Sequence, residues 1–362
     1  MTKCETLPSL IGMNSAELCA LAESEGMPTF RGRQLVDWLY KRGARDFDEM
    51  LTLPAEFRQK LKLEYTVGRS QVVTSQRASD GTIKLLLELS DGARIETVGM
   101  PYSERFSCCV STQAGCPVGC SFCATGQSGF KRNLTPGEII DQVLTVNAAI
   151  EPDRKATSKT KIDHITFMGM GEPLLNYDST VKALRLLNEE LGISARHLTV
   201  STVGFVPGIR SLMKEKLPVT LAVSLHAPND ELRRRLVPSL TKWNVVKIIE
   251  ACRDYMAETS RRITFEYCLI DKINDSSAEA VQLAALLKGL NCHVNLIPFN
   301  PVAGLPFKVT PPERAKAFSL ILSTNGIQVT ERLRRGSDID AACGQLRRRE
   351  EKKIAKPSSS SD

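Results

Sequence analysis

Three cysteines lie close together in the segment Cys116-Pro-Val-Gly-Cys120-Ser-Phe-Cys123. Thiolates at this spacing on one loop can converge on a single inorganic centre. A structural zinc site normally has four ligands, and neither Cys nor His follows Cys123 until His164. Three thiolates on a four-iron cluster leave one iron open, and an open iron can bind and activate a small molecule. The alternative is three buried thiols that are neighbours by chance.

Polar residues follow the apolar runs that we predict to be strands. Gly171 and Glu172 come after the run Ile165–Met168, where glycine permits close backbone approach and the carboxylate can accept hydrogen bonds from an α-amino group. The other residues at such strand ends are Ser201, the run Ser224, Leu225 and His226, and Asn300. Each alone is more often a cap or a satisfied polar group, but successive strand ends of this kind predict a cavity for a polar cofactor.

The elements that position these residues alternate between strand and helix patterns over residues 104–335. The predicted strands are Phe106–Ser111, Ile162–Met168, Leu198–Ser201, Val219–Leu225, Ile263–Leu269, His293–Pro298 and Ile327–Thr330. Capping boxes at Thr135 and Thr310 predict two helix starts. Repeated strand–helix alternation is typical of parallel βα units, so we expect an α/β fold with a complete or partial (βα) TIM-type barrel. An open doubly wound sheet is the alternative.

The remaining segments predict smaller units. Residues 1–65 form a helical accessory unit, whose basic outer residues either meet RNA phosphates or are a solvated helix face. Residues 66–103 alternate as strands around two Asp-Gly turns and predict a short antiparallel linker sheet. Residues 336–362 end in a basic tail from Arg347 that we expect to be disordered, and the basic insert 151–161 is expected to be a surface loop.

Composition bounds the class of protein. The chain has 362 residues, 42% hydrophobic and 25% charged, with a net charge of +7, which permits a nucleic-acid partner without demanding one. The N-terminus has no signal-peptide pattern, and no apolar run reaches the ~18 residues that a membrane span needs. We therefore expect a cytoplasmic protein without a membrane partner, whose 11 cysteines are ligands or catalysts rather than a disulfide framework.

Longer motifs carry a resemblance to a known family. The string CPVGCSFCATG has the spacing of the radical S-adenosylmethionine (SAM) enzymes. Together with FKRNL, GMGEPLLN, SLHAPND, NLIPFNP, IDAACGQL and the N-terminal FRGRQL and WLY, it closely resembles the radical SAM rRNA and tRNA adenine-C2 methyltransferases, the RlmN family. The resemblance covers nearly the whole chain, apart from the insert 151–161 and the last dozen residues.

The resemblance implies a cofactor and a set of catalytic residues. A [4Fe–4S] cluster on Cys116, Cys120 and Cys123 would chelate SAM at its open iron, beside the strand-end residues. Cys343 matches the cysteine that is methylated by a first SAM, and Cys109 matches the one that resolves the protein–RNA adduct through a transient disulfide. Glu96 matches the proposed proton acceptor.

The implied substrates are an adenine of the peptidyl-transferase centre in 23S rRNA and the adenine 3′ of the anticodon in tRNAs. The implied electron donor is a flavodoxin or ferredoxin, and we expect a monomer. Cys108 departs from the family, which more often has an apolar residue there, and we expect Cys108 to be a core residue. Two alternatives stay open: a sister enzyme that methylates adenine C8, and a non-enzymatic iron–sulfur or zinc protein that binds RNA.

Overall fold

The computed structural model describes residues 7–150, 162–240, 242–302, 304–332, 335–339 and 341. The insert 151–161, Cys343 and the basic tail from Arg347 lie outside the described residues, so the predictions for them are not tested. Within those ranges, the helices are all too short or too polar to cross a membrane.

The N-terminal residues form three short helices. They are α1 (Ser15–Ser24), α2 (Phe30–Val36), which continues as a π-helical turn over Asp37–Lys41, and α3 (Ala55–Glu64). Helix α1 begins at Asn14 because its side chain accepts from the Glu17 N–H at 2.9 Å, while the Glu17 carboxylate accepts from the Asn14 N–H at 2.7 Å. Helices therefore occupy the segment for which the sequence predicts a helical unit, while its role in RNA binding stays a prediction.

Strands β1 (Gln71–Arg77), β2 (Ile83–Glu88) and β3 (Arg94–Pro101) pair antiparallel, as the two Asp-Gly turns predict. They do not form a linker sheet of their own. Strand β3 is buried along its middle and pairs antiparallel with β4 (Phe106–Cys109), so the three strands extend the main sheet. The physical reason is that a buried strand needs hydrogen-bonding neighbours on both edges.

Seven parallel strands form the centre of the molecule: β4, β7 (His164–Phe167), β8 (Leu198–Thr202), β9 (Thr220–Ser224), β10 (Ile263–Leu269), β11 (Cys292–Pro298) and β12 (Gln328–Glu331). Their spatial order follows the chain order from β4 to β12. A doubly wound sheet would reverse its order at a switch point, so the partial barrel is confirmed and the open-sheet alternative is wrong.

A second, two-stranded sheet is an addition that the sequence patterns did not predict. Strands β5 (Gln113–Gly115) and β6 (Phe130–Asn133) pair antiparallel on either side of the cysteine segment. Both are short, and short strands leave little periodicity to detect.

Longer helices between the parallel strands pack their buried residues into the same core. They are α5 (Pro136–Ile150), α6 (Tyr177–Glu189), α7 (Val206–Lys214), α9 (Val245–Thr259), α10 (Ser277–Leu287) and α11 (Pro312–Thr324). Two shorter helices, α4 (Ala124–Gln127) and α8 (Asp230–Leu236), lie at the cysteine segment, where Thr125 lines a cavity and Leu232 and Leu236 pack with Cys120.

The capping box predicted at Thr135 is present, with the Glu138 N–H donating to Thr135 Oγ1 at 3.2 Å. The one predicted at Thr310 is wrong. Pro312 holds Pro311 in an extended conformation, so Pro311 becomes the N-cap residue and has no side-chain acceptor.

A buried ion pair joins the N-terminal helices to the barrel. The Arg69 guanidinium contacts the Asp141 carboxylate on α5, and both side chains are almost fully buried, at 3% and 1% exposed. The same carboxylate accepts the Ser70 N–H at 2.8 Å, and Arg69 also donates to the Gly43 carbonyl. The chain that leaves the N-terminal helices is thereby held against α5.

We expect Asp141→Ala to lower the free energy of unfolding by about 3–5 kcal/mol, because it leaves Arg69 charged and buried without its carboxylate. Urea titration of the purified protein measures this change. The control is Asp37→Ala. The Asp37 carboxylate pairs with exposed Arg42 at 2.7 Å, so its loss is expected to lower the free energy of unfolding by less than about 1 kcal/mol. Equal losses for the two variants would contradict the role given to the buried pair.

Candidate active site

A cavity of about 290 Å³ lies at the carboxyl ends of the parallel strands. Its lining extends from Val98 and Met100 on β3 to Arg332, directly after β12. Strands at both ends of the parallel set therefore contribute to one cavity, as in a barrel whose carboxyl face holds the active site. The predicted site residues that line it are Cys109, Cys116, Cys120, Cys123, Gly171, Glu172, Ser201, Ser224, His226 and Asn300.

The cysteine segment is held by backbone contacts at both ends. The Cys116 N–H donates to the Gly129 carbonyl at 2.9 Å, and the Ser121 N–H donates to the Leu236 carbonyl at 2.9 Å. Helix α4 packs so closely that a Cβ at Gly126 would lie 2.9 Å from the Cys120 nitrogen. These contacts fold the segment back on itself and place its three cysteines on one wall of the cavity.

The surroundings of the thiols are poor in water. Burial raises the pKa of the Cys116 thiol to about 12, and the neighbouring Cys123 adds to the shift. Burial also raises the pKa of Cys120 well above its usual value. Thiolates in such a place need a compensating positive charge, which bound iron provides.

Arg233 is a buried cation that the sequence reasoning missed. Its guanidinium donates to the carbonyls of Val203, Ser224 and Leu225, which follow or end β8 and β9. Burial lowers the pKa of Arg233 to about 10, while the nearby Cys120 opposes that shift, so the side chain stays charged at neutral pH. A signal was present, because Arg233 interrupts the apolar stripe of Leu232 and Leu236 on α8.

The Glu172 carboxylate joins two strand ends. One oxygen accepts the Leu174 N–H at 3.0 Å and the other accepts the Val203 N–H at 2.8 Å. Burial raises the pKa of Glu172 to about 7 in spite of these bonds. Gly171 has φ 107°, and a Cβ there would lie 2.7 Å from Gln113, so this glycine permits close approach to β5.

Residues at the end of β9 alternate between the cavity and the core. Ser224 and His226 line the cavity, and Ser224 Oγ lies 3.4 Å from Ser201 Oγ. His226 Nδ1 accepts the Cys268 N–H at 3.0 Å, and burial lowers the pKa of His226 to about 3, so the ring is neutral with its proton on Nε2.

The side chain of Leu225 is fully buried in the hydrophobic core and does not line the cavity. Its N–H donates to the Glu266 carbonyl at 3.0 Å, and its own carbonyl accepts from Arg233. Successive strand residues face opposite ways, which sends Leu225 away from the cavity.

The two adjacent cysteines also face opposite ways. Cys109 packs against Val98 and Met100 at the cavity, whereas Cys108 is fully buried with its Sγ 3.6 Å from Thr97 Oγ1. Burial raises the pKa of Cys108 to about 12. The prediction that Cys108 is a core residue is confirmed.

Glu96 is buried on β3 with its carbonyl accepting from Ser111 Oγ at 2.6 Å. Because alternate residues of a strand share a face, Glu96 lies on the face of Val98 and Met100, which line the cavity.

The mouth of the cavity is aromatic and basic. The guanidinium groups of Arg105 and Arg335 lie 4.6 and 4.2 Å from the centre of the Tyr102 ring. Tyr102, Arg332 and Arg335 all contribute to the cavity lining. These residues carry no motif in the sequence, and only the fold brings them together.

The chain matches two family models. Residues 9–67 match the ribosomal RNA large subunit methyltransferase N-terminal domain, and residues 110–284 match the radical SAM superfamily.

Curated relatives and a solved structure agree with both matches. A "probable dual-specificity RNA methyltransferase RlmN" of Gloeobacter violaceus is 49% identical over 94% of this chain and 95% of its own. The relative of the same name from Symbiobacterium thermophilum is 47% identical over 95% of this chain and 92% of its own. The crystal structure of a radical SAM methyltransferase from Sphaerobacter thermophilus has a TM-score of 0.89 and 47% identity, covering 94% of this chain and 99% of that one. The cysteine segment, the strand-end residues and these relatives together show that the chain belongs to the RlmN family of radical SAM RNA methyltransferases.

Proposed function

We propose that this enzyme methylates C2 of one adenine in the peptidyl-transferase centre of 23S rRNA and of the adenine 3′ of the anticodon in tRNAs. The observation that carries the proposal is one cavity that contains both the three-cysteine segment and Cys109. C2 of adenine lies between two ring nitrogens and has no lone pair to attack a methyl sulfonium. A carbon held by the protein is therefore needed, and a cysteine that can carry a methyl group supplies it.

Radical SAM family membership implies a [4Fe–4S] cluster and SAM. We assign the cluster to Cys116, Cys120 and Cys123, and SAM to Gly171, Glu172, Ser201, Ser224, His226 and Asn300. The donor set fits, since all three thiols line the cavity and the buried cation Arg233 lies near Cys120, where it complements the net negative charge of a three-thiolate cluster.

The zinc alternative fits less well. A structural zinc site normally has four ligands, and the cysteine segment supplies three. Three thiolates on a four-iron cluster leave one iron open for a small molecule.

When bound, the cluster and its chelated SAM supply a 5′-deoxyadenosyl radical. The protein contributes the carbon and the thiols. The Cys343 thiolate takes a methyl group from one SAM, gives up a hydrogen atom from that methyl, and the resulting carbon joins adenine C2. We assign to Glu96 the removal of the proton from C2. The odd electron left on the base would return to the cluster, which gives up one electron when the 5′-deoxyadenosyl radical is formed.

Cys109 then releases the product. Its thiolate attacks the sulfur of Cys343, and the sulfur–carbon bond breaks with its electron pair going to the nucleobase. That carbon takes up a proton and becomes the methyl group, while Cys109 and Cys343 are left as a disulfide that a reductant must open before the next cycle.

The basic mouth supports an RNA substrate. Arg105 and Arg335 flank the ring of Tyr102 at the cavity, a combination that suits phosphates and a stacked base. On the N-terminal helices, Lys41 and Arg42 pair with Asp37. Exposed ion pairs of this kind are weak, so the outer face of these helices stays a second candidate surface for RNA phosphates.

The remaining assignments follow the family resemblance. They are a flavodoxin or ferredoxin as electron donor, a cytoplasmic location and a monomeric state. Methylation at adenine C8 is the second candidate, because the sister enzymes share the Cys109 and Cys343 pair. The non-enzymatic alternative is set aside by membership of an enzyme family.

We expect Cys109→Ala to accumulate a covalent protein–RNA species, because the thioether between Cys343 and the base is then not resolved. Denaturing gels before and after ribonuclease treatment measure it. Cys108→Ala is the matched control and should turn over without a trapped species, since Cys108 is a core residue. Clean turnover by the Cys109 variant would reject the resolving role.

We expect Arg233→Met to lower the free energy of unfolding by at least about 3 kcal/mol, because three carbonyls lose a charged donor worth about 1.5–3 kcal/mol each. The iron bound per chain should fall with it. Arg234 lies on the exposed side of α8, so Arg234→Met is expected to change the free energy of unfolding by no more than about 0.5 kcal/mol relative to the wild-type protein. Urea titration and iron analysis measure both effects, and similar losses in the two variants would refute the assignment.

Cells that lack this protein should lose 2-methyladenosine from both 23S rRNA and tRNA. Nucleoside mass spectrometry measures the loss, which the wild-type chain should restore and Cys343→Ala should not. Restoration of 8-methyladenosine alone would support the sister reaction instead, and loss from only one RNA class would narrow the substrate range.

A further inference from the structure

The chain after β12 is held by the turn between β1 and β2. The Gly336 N–H donates to Asp80 Oδ2 at 3.0 Å, and the Ser79 N–H donates to Asp338 Oδ2 at 2.9 Å. Each segment thus supplies one carboxylate and one backbone donor to the other. We call this reciprocal pair of bonds, made by Ser79, Asp80, Gly336 and Asp338, the clasp.

Both carboxylates of the clasp are held in the charged form. Burial alone would raise the pKa of Asp80, but bonds from Thr82 and Gly336 and the charge of Arg335 lower it overall. The bond from the Ser79 N–H likewise lowers the pKa of Asp338. Hydrogen bonds to ionised acceptors are the stronger kind, so the clasp joins the two segments at neutral pH.

The clasp sets the direction in which the chain continues. The N–H groups of Ile339 and Ala341 both donate to the Gly336 carbonyl, at 3.2 and 3.0 Å, which makes a tight turn. Gly336 has φ 59°, and a Cβ there would lie 2.4 Å from the Cβ of Ala341. The turn therefore needs glycine at this position and brings Ala341 back toward the cavity.

Ala341 ends this described segment beside the resolving cysteine. It lines the cavity and packs with the cluster formed by Val98, Met100 and Cys109. Cys343 is two residues further along the chain, and two residues of extended chain span at most about 7 Å. The eleven residues that follow Arg332, up to Cys343, could span roughly 36–40 Å if the clasp did not hold the first of them.

We propose that Asp80 and Asp338 are positioning residues that hold the C-terminal segment so that Cys343 meets the cavity and Cys109. The inference rests on the proposed function, because it takes Cys343 as the methyl carrier. Neither carboxylate is among the residues that line the cavity, so both act through the segment that they hold. Holding the segment raises the effective concentration of Cys343 at the site and adds no contact with substrate.

The test uses Asp80→Asn and Asp338→Asn in the full-length protein. In wild-type protein Asp80 Oδ1 accepts the Thr82 N–H at 3.0 Å. An asparagine at position 80 keeps this acceptor oxygen, but it replaces the oxygen that accepts the Gly336 N–H by an NH2 group. Asp91→Asn is the control, because Asp91 occupies the same place in the next Asp-Gly turn and accepts the Ala93 N–H at 3.1 Å. Its carboxylate also pairs with Arg132 at 2.7 Å, an exposed ion pair that is expected to contribute less than about 1 kcal/mol, and it makes no bond to the C-terminal segment.

Two readouts distinguish positioning from folding. Peptide mass spectrometry gives the fraction of Cys343 that carries a methyl group as isolated, which we expect to fall about tenfold in each clasp variant. The ratio of 5′-deoxyadenosine formed to adenine methylated should rise by a similar factor. The visible absorbance of the cluster and the melting temperature should match those of the Asp91 variant.

Wild-type Cys343 methylation and an unchanged product ratio in both clasp variants would overturn the inference and leave the proposed function intact. Loss of cluster absorbance in both would also overturn it, since the residues would then be structural. Absence of methyl-Cys343 from the wild-type protein itself would instead refute the proposed function.

Discussion

One buried guanidinium holds together the half of the cavity on which the chemistry depends. Arg233 donates to carbonyls at the ends of β8 and β9. Buried carbonyls at a strand end need such a donor, because the N–H groups of the neighbouring strands no longer reach them. The charge of Arg233 lies near Cys120, in a region where burial disfavours thiolates. The Arg233 side chain thus hydrogen-bonds the strand-end carbonyls and offsets negative charge at the cysteine segment. The bond from the Ser121 N–H to the Leu236 carbonyl connects that segment to α8, the helix that carries Arg233.

The antiparallel strands before the barrel are part of the site and not a spacer. Pairing of Val98 with Cys109 gives β3 one wall of the cavity and fixes which of two adjacent cysteines faces it. The turn between β1 and β2 reaches the segment after β12, at the far end of the sheet order. The two ends of the ten-stranded sheet are therefore connected across the cavity by two carboxylates and two backbone donors.

The N-terminal helices are fixed to this framework by the Arg69–Asp141 pair, which is buried and hydrogen-bonded on both partners. Much of their own basic surface is paired with neighbouring carboxylates. Further positive charge lies at the mouth of the cavity, where Arg105 and Arg335 flank Tyr102. This distribution favours recognition of RNA phosphates close to the reacting base.

The sequence by itself determined the seven parallel strands, the antiparallel hairpins and ten of the residues that line the cavity, because period, turn residues and cysteine spacing are local properties of the chain. It misjudged Thr310, where two prolines shift the helix start. Only the tertiary structure decided the roles of Arg233, Tyr102, Asp80 and Asp338. Each of them has a partner far along the chain, and these partners are Val203, Arg335, Gly336 and Ser79. A contact between distant segments exists only once the sheet has curled around the cavity.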